Sequence, residues 1–246
     1  SVVHYVDHFR YPERGGFLAY LAPFAERYDL KLGHELREYD PESGRLLFGN
    51  GQVAEHTPFI SSMPLPELIP RIRGVPEDVL EAARSLAFTS AVLVTVGVER
   101  DDLSEHHVTY FYDEDIVFAR INFPHLFSAH NAPAGHGCVQ AEIYFSDKYR
   151  PLQEPPEHYV QPVIRDLIRC GILSEDDSIS LADARVIRYA NVIYDHDRAE
   201  AVSRSHAYLD EVGVAYCGRY GDWDHAWTDE AFVSGERAAR RAIGRE

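Results

Sequence analysis

Apolar positions along the chain alternate between the period of strands and that of helices, which predicts a mixed α/β fold. The clearest strand runs from Cys138 to Phe145, because every second residue from Val139 onward is apolar. The clearest helix runs from Glu157 to Cys170, with Gly171 as its stop signal. Further helices are predicted at about 17–28, 76–86, 198–212 and 228–243, and strands at about 31–39, 45–48, 57–62, 91–98, 106–112, 116–121, 184–193 and 214–217.

Composition and charge narrow the class of partner. With 246 residues, 45% of them hydrophobic, the chain can bury a core in one large or two smaller domains. The net charge of -16 argues against nucleic acid, since phosphate binding needs a surplus of lysine and arginine. No apolar run reaches the length of a membrane span, so no span is expected.

The cysteines and the first residues favour a cytoplasmic protein. Cys138, Cys170 and Cys217 are far apart and lie in apolar stretches, as reduced core cysteines do. The opening residues lack the basic region followed by an apolar region that marks a secretory signal.

The end of the chain carries the most informative local pattern. A short strand at 214–217 runs into Gly218 and Gly221, which let the backbone approach a ligand closely. Arg219 can pair with phosphate oxygens, and the helix that begins near Thr228, a plausible N-cap, offers free N–H groups. The alternative is an ordinary strand–turn–helix ending with an exposed arginine. Small residues form one stripe of this last helix: Ala231, Gly235, Ala238 and Ala242.

The chain lacks the usual nucleotide-binding motifs. It contains no G-x-G-x-x-G after a strand, no P-loop and no G-x-S-x-G. A complete dinucleotide-binding βαβ unit is therefore not expected within these residues.

The terminal segment resembles the C-terminal FAD motif of the flavin amine oxidase superfamily, above all its protoporphyrinogen-oxidase-like and UDP-galactopyranose-mutase-like branches. The resemblance rests on residues 218–223 (GRYGDW), 229–231 (DEA), 234–236 (SGE) and 238–239 (AA). Four further pieces follow the order of the family: 9–12 with Gly15 and Gly16, 59–65, 131–133 leading to Glu142, and 189–194.

The resemblance implies a partial FAD-binding domain, formed by residues 1–62 and 212–246. Residues 63–211 would form a substrate-binding domain with a mixed, largely antiparallel sheet and flanking helices. The Gly218–Arg219 pair would lie by the FAD diphosphate, Asp229 by the ribityl chain and flavin ring, and Trp223 near the ring. The implied cofactor-binding residues are Gly15, Gly16, Gly218, Arg219, Tyr220, Gly221, Trp223 and Asp229.

The substrate would be a small molecule held by polar and aromatic residues of the predicted substrate domain. Arg120 and Glu142 lie on neighbouring predicted strands, so they could form a substrate clamp or a base, or simply a cross-strand ion pair. The aromatic residues could form a wall over the flavin or could be ordinary strand residues. The candidate substrate residues are Tyr110, Tyr112, Arg120, Glu142 and Tyr144; no catalytic residue stands out. The histidines and acidic residues near 106–136 fit no compact ligand motif, so no metal is expected.

The resemblance implies an FAD-dependent oxidoreductase that moves a hydride from a small-molecule or sugar-type substrate to flavin. Because the N-terminal Rossmann segment is missing, we expect a C-terminal fragment or subunit that needs an N-terminal FAD-binding half. Its partner would be a separate Rossmann-bearing chain or a second copy, which would cover an apolar surface that includes Val2, Val3, Phe9 and Tyr11. The alternatives are a non-catalytic interaction or regulatory subunit that has lost FAD binding, and a flavin-dependent, sugar-nucleotide mutase-like protein.

Overall fold

The structure, a computed structural model, describes residues 9–55 and 58–244. Its strands are β1 (Leu36–Asp40), β2 (Arg45–Phe48), β3 (Val53–Glu55), β4 (Phe59–Ser61), β5 (Phe88–Val98), β6 (Val108–Tyr110), β7 (Arg120–Asn122), β8 (Gly137–Phe145), β9 (Ile179–Val192) and β10 (Val214–Tyr216). Its α-helices are α1 (Ala22–Arg27), α2 (Leu65–Leu68), α3 (Glu77–Ser85), α4 (Pro124–Phe127), α5 (Val160–Arg169), α6 (Arg198–Glu211), α7 (Gly218–Gly221) and α8 (Thr228–Ala242). Single 3₁₀ turns lie at Phe17–Tyr20, Ile69–Arg71, Ala129–Asn131 and Pro156–Tyr159.

The predicted mixed α/β class is confirmed by these elements. They divide into two compact units: a first unit of Ser1–Leu30 and Ser90–Arg188, and a second unit of Lys31–Thr89 and Tyr189–Glu246. These bounds follow packing alone, so the assignment of FAD and substrate roles to 1–62, 63–211 and 212–246 stays a prediction. No helix in the described part of the chain has the length and apolar character needed to cross a bilayer. All three cysteines are free.

The first unit is built on a five-stranded sheet in the order β6-β7-β8-β5-β9. β5 and β8 pair antiparallel over nine residues, from Ser90 opposite Phe145 to Val98 opposite Gly137. The valines at alternate positions from Val92 to Val98 point to one face, where they pack with Val163 and Leu167 of α5. One face of this sheet is therefore the core of the unit.

The second unit combines a small antiparallel sheet, in the order β1-β2-β3, with a parallel pair of β10 and β4. Its core gathers apolar residues of α2, α3 and α6 around Trp223. Leu65, Leu68 and Leu209 are fully buried there. The core thus combines residues that precede and residues that follow the segment Ser90–Arg188 of the first unit.

Two elements of the structure differ from the predicted ones. The predicted helix at 17–28 is a 3₁₀ turn followed by α1, and none of its residues is buried, although the Phe17 ring contacts the rings of Tyr11 and Tyr20. The predicted strand at 116–121 is reduced to β7, because the Val117 amide donates to the Asp166 carboxylate of α5 (2.9 Å) and not to a strand. Val2, Val3 and Thr57 lie outside the described residues.

Candidate functional site

The second face of the first unit's sheet is polar. Arg120 of β7 lies opposite Glu142 of β8 and opposite Tyr110 of β6, and Asn122 lies opposite Gln140. Directly paired residues point to the same face, and this face alternates with the buried valine face. The polar face carries Tyr110, Arg120, Asn122, Gln140, Glu142 and Tyr144.

Glu142 is the centre of this polar face, although it is only 9% exposed. Arg120 Nη2 donates to Glu142 Oε1 over 2.6 Å, and Asn122 Nδ2 reaches the same oxygen at 3.5 Å. The Tyr144 hydroxyl donates to the other oxygen, Oε2. Because both carboxylate oxygens already accept hydrogen bonds, Glu142 is suited to orient its neighbours.

The electrostatics of the cluster fix the protonation of two of its members. Burial raises the pKa of Tyr144, and its hydrogen bond to Glu142 and the charge of that carboxylate raise it further, so the phenol keeps its proton at neutral pH. Burial lowers the pKa of Arg120, but the hydrogen bond and charge of Glu142 outweigh this and leave the pKa raised. Arg120 Nε is buried and has no hydrogen-bond partner among the described residues, while the side chain as a whole is 37% exposed, so other atoms of the guanidinium are open to a ligand.

The structure brings together four of the five predicted substrate residues: Tyr110, Arg120, Glu142 and Tyr144. Tyr112 lies beyond the end of β6 and is 89% exposed, so it does not belong to the cluster. Sequence reasoning missed Asn122 and Gln140. Each lies two residues from Arg120 or Glu142, so the period of two could have found both.

In the second unit, the terminal segment follows a parallel strand pair. Val214 and Tyr216 of β10 lie opposite Phe59 and Ser61 of β4. Gly218 follows with φ +74°, and an added Cβ would meet only Ser62 Cβ, at 3.9 Å. The turn therefore leaves open space beside Gly218 at the carboxyl end of the pair, where α/β folds place ligands.

Gly221 has a different reason to be glycine. A Cβ there would lie 3.2 Å from the Ser61 carbonyl oxygen, so the turn packs tightly onto β4. Tyr220, between the two, donates its hydroxyl to the carbonyl oxygens of Tyr189 (2.6 Å) and Ala190 (3.1 Å). Gly221 and Tyr220 thus fix the turn, while Gly218 keeps it accessible.

The Arg219 side chain bonds to acceptors of its own unit. Nε and Nη2 donate to the Ala226 carbonyl oxygen over 3.0 and 2.7 Å. Nη1 donates to the Ala190 carbonyl oxygen (3.2 Å) and to Asn191 Oδ1 (2.9 Å). These four bonds hold the segment in place, and the pairing of Arg219 with FAD phosphate stays a prediction.

The Gly218 amide is linked to α8. It donates to Ser234 Oγ over 2.9 Å, and Ser234 Oγ donates to Asp222 Oδ2. Arg237 Nη2 donates to the same Asp222 oxygen over 3.1 Å. This chain of bonds ties the glycine turn to the helix that follows it, and no local sequence signal pointed to it.

Trp223 is fully buried in the core of the second unit, with rings of Phe88 and Tyr220 at its edge. Its φ of +52° is a strained conformation for a bulky residue. Arg198 stabilises it by donating Nε (3.1 Å) and Nη2 (2.5 Å) to the Trp223 carbonyl oxygen. The indole Nε1 has no partner among the described residues. A contact with a flavin ring would require this side chain to leave the core, and it stays a prediction.

The last helix begins at Thr228 as expected, but its N-cap is Trp227 and not Thr228. The Trp227 amide donates to the Glu230 carboxylate of the first turn over 2.7 Å, which is the bond that the third helical residue makes to the N-cap amide in a capping box. Asp229 is exposed in that first turn, as a ligand-facing carboxylate would be. Within the small-residue stripe Ala238 is buried, so the stripe is the packed face of the helix.

Gly15 and Gly16 belong to the first unit, unlike the other predicted cofactor residues. Both have positive φ (+82° and +64°), and Gly16 precedes the 3₁₀ turn Phe17–Tyr20. The chain just before these glycines is held by a hydrogen bond from Ser128 Oγ to the Glu13 carbonyl oxygen. No group of three or more potential metal ligands occurs among the residues that the structure describes.

Comparison with known proteins gives a family and a fold. A crystal structure of reduced UDP-galactopyranose mutase is similar over 96% of this chain and 52% of that protein, with a TM-score of 0.88 and 20% identity. A protein from Exiguobacterium sp. 255-15 described as a protoporphyrinogen oxidase is similar over 93% of this chain and 51% of its own, with a TM-score of 0.70 and 16% identity. The chain thus spans about half the length of these structures, and no curated protein matches it.

The match to a family model extends over residues 5–243, nearly the whole chain, and carries the description of flavin-containing amine oxidoreductase. Both structural neighbours come from the two branches that the terminal segment resembles, so the resemblance is confirmed. The chain belongs to the family of flavin-containing amine oxidoreductases.

Proposed function

We propose that the chain is part of an FAD-dependent oxidoreductase and acts together with a Rossmann-bearing FAD-binding half. The observation that carries this proposal is the open glycine turn at Gly218, which follows the carboxyl ends of the β4–β10 pair in a chain of a flavin family. When bound, the flavin would supply the hydride acceptor. Gly218 would let the cofactor approach the backbone, and Asp229 would face it from the first turn of α8. A cytoplasmic location stays a prediction.

The polar face of the first unit's sheet would hold the substrate, a small molecule or a sugar-type compound. The Arg120 guanidinium, whose side chain is 37% exposed, would donate to an acceptor atom of the substrate, and the protonated Tyr144 would keep Glu142 in place. Tyr110, which is 54% exposed, would offer a ring face to apolar atoms of the substrate. In this arrangement the residues bind and orient, and none of them is assigned a proton-transfer step.

A second candidate is a non-catalytic interaction or regulatory subunit. It is favoured by the internal bonds of the terminal segment, in which Arg219 and the Gly218 amide both donate to the chain's own acceptors. A mutase-like activity, without net oxidation, is favoured by the solved mutase with a TM-score of 0.88.

The test is the visible absorption spectrum of the purified chain, alone and co-expressed with a Rossmann-bearing half, after desalting in the presence of FAD. Flavin absorption that stays with the protein supports the proposal. A protein that stays colourless in both preparations contradicts it and supports the non-catalytic subunit. If flavin is retained, net reduction by a substrate separates an oxidoreductase from a mutase-like protein.

A further inference from the structure

β9 forms one edge of the first unit's sheet, with β5 as its neighbour on the inner side. No strand among residues 9–55 and 58–244 pairs with its outer side. A long edge strand with unpaired backbone groups is a template for another strand. Charged or apolar side chains decide which partner such an edge accepts.

The outer part of β9 exposes apolar side chains on both of its faces, beside Asp183 and Arg185 on one face and Arg188 on the other. Leu181 and Ile187 lie on one face and are 51% and 44% exposed, and Val186 on the other face is 44% exposed. Ordinary edge strands keep such side chains against a core on at least one face. Residues 179–188 of β9 therefore offer exposed apolar side chains along an edge that no strand of the described residues covers.

The charge of this segment is opposite in sign to the net charge of the chain. It holds one acidic residue, Asp183, and two basic ones, Arg185 and Arg188, so its charge is +1 (2 − 1). The whole chain has 24 basic and 40 acidic residues, a net charge of -16. The acidic surplus of the chain therefore does not lie along this edge, and it opposes the approach of two copies less here than along an acidic strand.

The sequence of β9 is self-complementary in one antiparallel register, with Ala184 at the two-fold axis. In that register Asp183 of one copy lies opposite Arg185 of the other, and this pair occurs twice. Leu181 lies opposite Ile187, also twice, on the same face. Within one chain Asp183 and Arg185 already bond over 2.7 Å, so they are placed side by side on that face.

We propose that residues 179–188 of β9 are the contact between two copies of this chain, which pair antiparallel and join their sheets into one. This two-fold contact is isologous, so the same short segment supplies both sides of it. It differs from the apolar surface around Phe9 and Tyr11 and does not depend on flavin binding.

Charge-reversal variants followed by analytical ultracentrifugation test this pairing. Asp183→Arg places two arginines opposite each other, and Arg185→Asp places two aspartates opposite each other. Each variant should dimerise about tenfold more weakly than the wild type, because two attractive pairs become repulsive. Glu154→Arg makes the same charge change as Asp183→Arg at an exposed site outside β9, so it is the matched control for that variant and should dimerise like the wild type.

Mixing the two variants makes the test independent of folding defects. A chain with Asp183→Arg and a chain with Arg185→Asp restore both opposite-charge pairs, so the mixture should form a 1:1 heterodimer with wild-type affinity. The proposal is overturned by a monomeric wild type, by a dimer that both single variants leave intact, or by a mixture that does not associate.

Discussion

The two candidate regions satisfy their polar groups in opposite ways. In the terminal segment of the second unit, Arg219 and the Gly218 amide donate to acceptors of the same unit. On the polar face of the first unit, Arg120 Nε is buried and has no partner in the described part of the chain. In the proposed sites, the terminal segment would therefore contact a ligand through the open backbone surface beside Gly218, whereas the sheet would contact one through side chains.

The two regions also differ in burial: the terminal segment is tightly packed, and the polar face is open to solvent. The terminal segment encloses a fully buried tryptophan in a strained conformation, held by two donors of Arg198. The polar face leaves Tyr110 half-exposed. Loss of a packed side chain in the terminal segment should therefore lower the free energy of unfolding strongly. Exchange of a polar side chain on the open face should lower it less.

The largest effect is expected for Trp223→Ala. Removal of a fully buried indole leaves a cavity in the core of the second unit, so the free energy of unfolding should fall by about 3–5 kcal/mol. Trp227→Ala, at a side chain that is 49% exposed, is the matched control and should cost less than about 1 kcal/mol. Urea unfolding of both variants measures this, and equal losses would show that Trp223 is not the centre of the core.

A smaller effect is expected on the polar face. Glu142→Leu leaves the Arg120 guanidinium without its carboxylate, which should cost about 2 kcal/mol because this arginine is partly exposed. Arg120→Met combined with Glu142→Leu should recover most of that loss, since neither charge is then left alone.

A double-mutant cycle by urea unfolding measures the coupling between these two residues. Losses that simply add, with no recovery in the double variant, would mean that Arg120 and Glu142 do not act as a pair.

The smallest effect is a pH dependence at His206, next to the terminal segment. Its ring stacks on Tyr216 (3.9 Å between centroids), and Nε2 lies 2.9 Å from the Gly221 carbonyl oxygen. Burial lowers its pKa below 6.5, against the opposing effects of the Gly221 carbonyl, Asp222 and Asp210, while Arg241 lowers it further. The unfolded chain therefore binds more protons, so this residue's contribution to stability is present above about pH 6.5 and is lost as the pH falls.

Unfolding free energies measured from pH 7.5 to 5.5 should show this decline, with a slope of at most about 1.4 kcal/mol per pH unit. His206→Gln should flatten the slope in this range. An unchanged slope in the variant would assign the decline to other groups.

The sequence predicted those elements whose apolar residues recur with a regular period. β8 and α5 have clear periods, and the structure places them at Gly137–Phe145 and Val160–Arg169, close to the predicted bounds. β9 begins earlier than the predicted residue 184, because Ile179–Asp183 lie on the exposed end of the strand, where alternation is weak. The sequence predicted one helix at 17–28, whereas the structure has a 3₁₀ turn followed by α1 there, and none of the residues is buried.

The candidate site was predictable to the extent that it follows strand alternation. Arg120 and Glu142 meet because they are direct partners in the β7–β8 register. Tyr112 lies outside this cluster because β6 ends at Tyr110, two residues before the predicted end of that strand. The bonds of Arg219 to Ala190 and Asn191 join residues almost thirty positions apart, and no local pattern predicts such contacts.

The most direct test of the proposed cofactor site compares two glycines in FAD affinity, measured with the chain and a Rossmann-bearing half together. Gly218 and Gly213 have nearly the same φ (+74° and +72°), so alanine should cost each about 1 kcal/mol of stability. Only Gly218 lies in the proposed cofactor turn, so Gly218→Ala should weaken FAD binding about tenfold while Gly213→Ala leaves it unchanged. Equal affinity in both variants, or no binding by the wild type, would contradict the assignment of this turn to flavin.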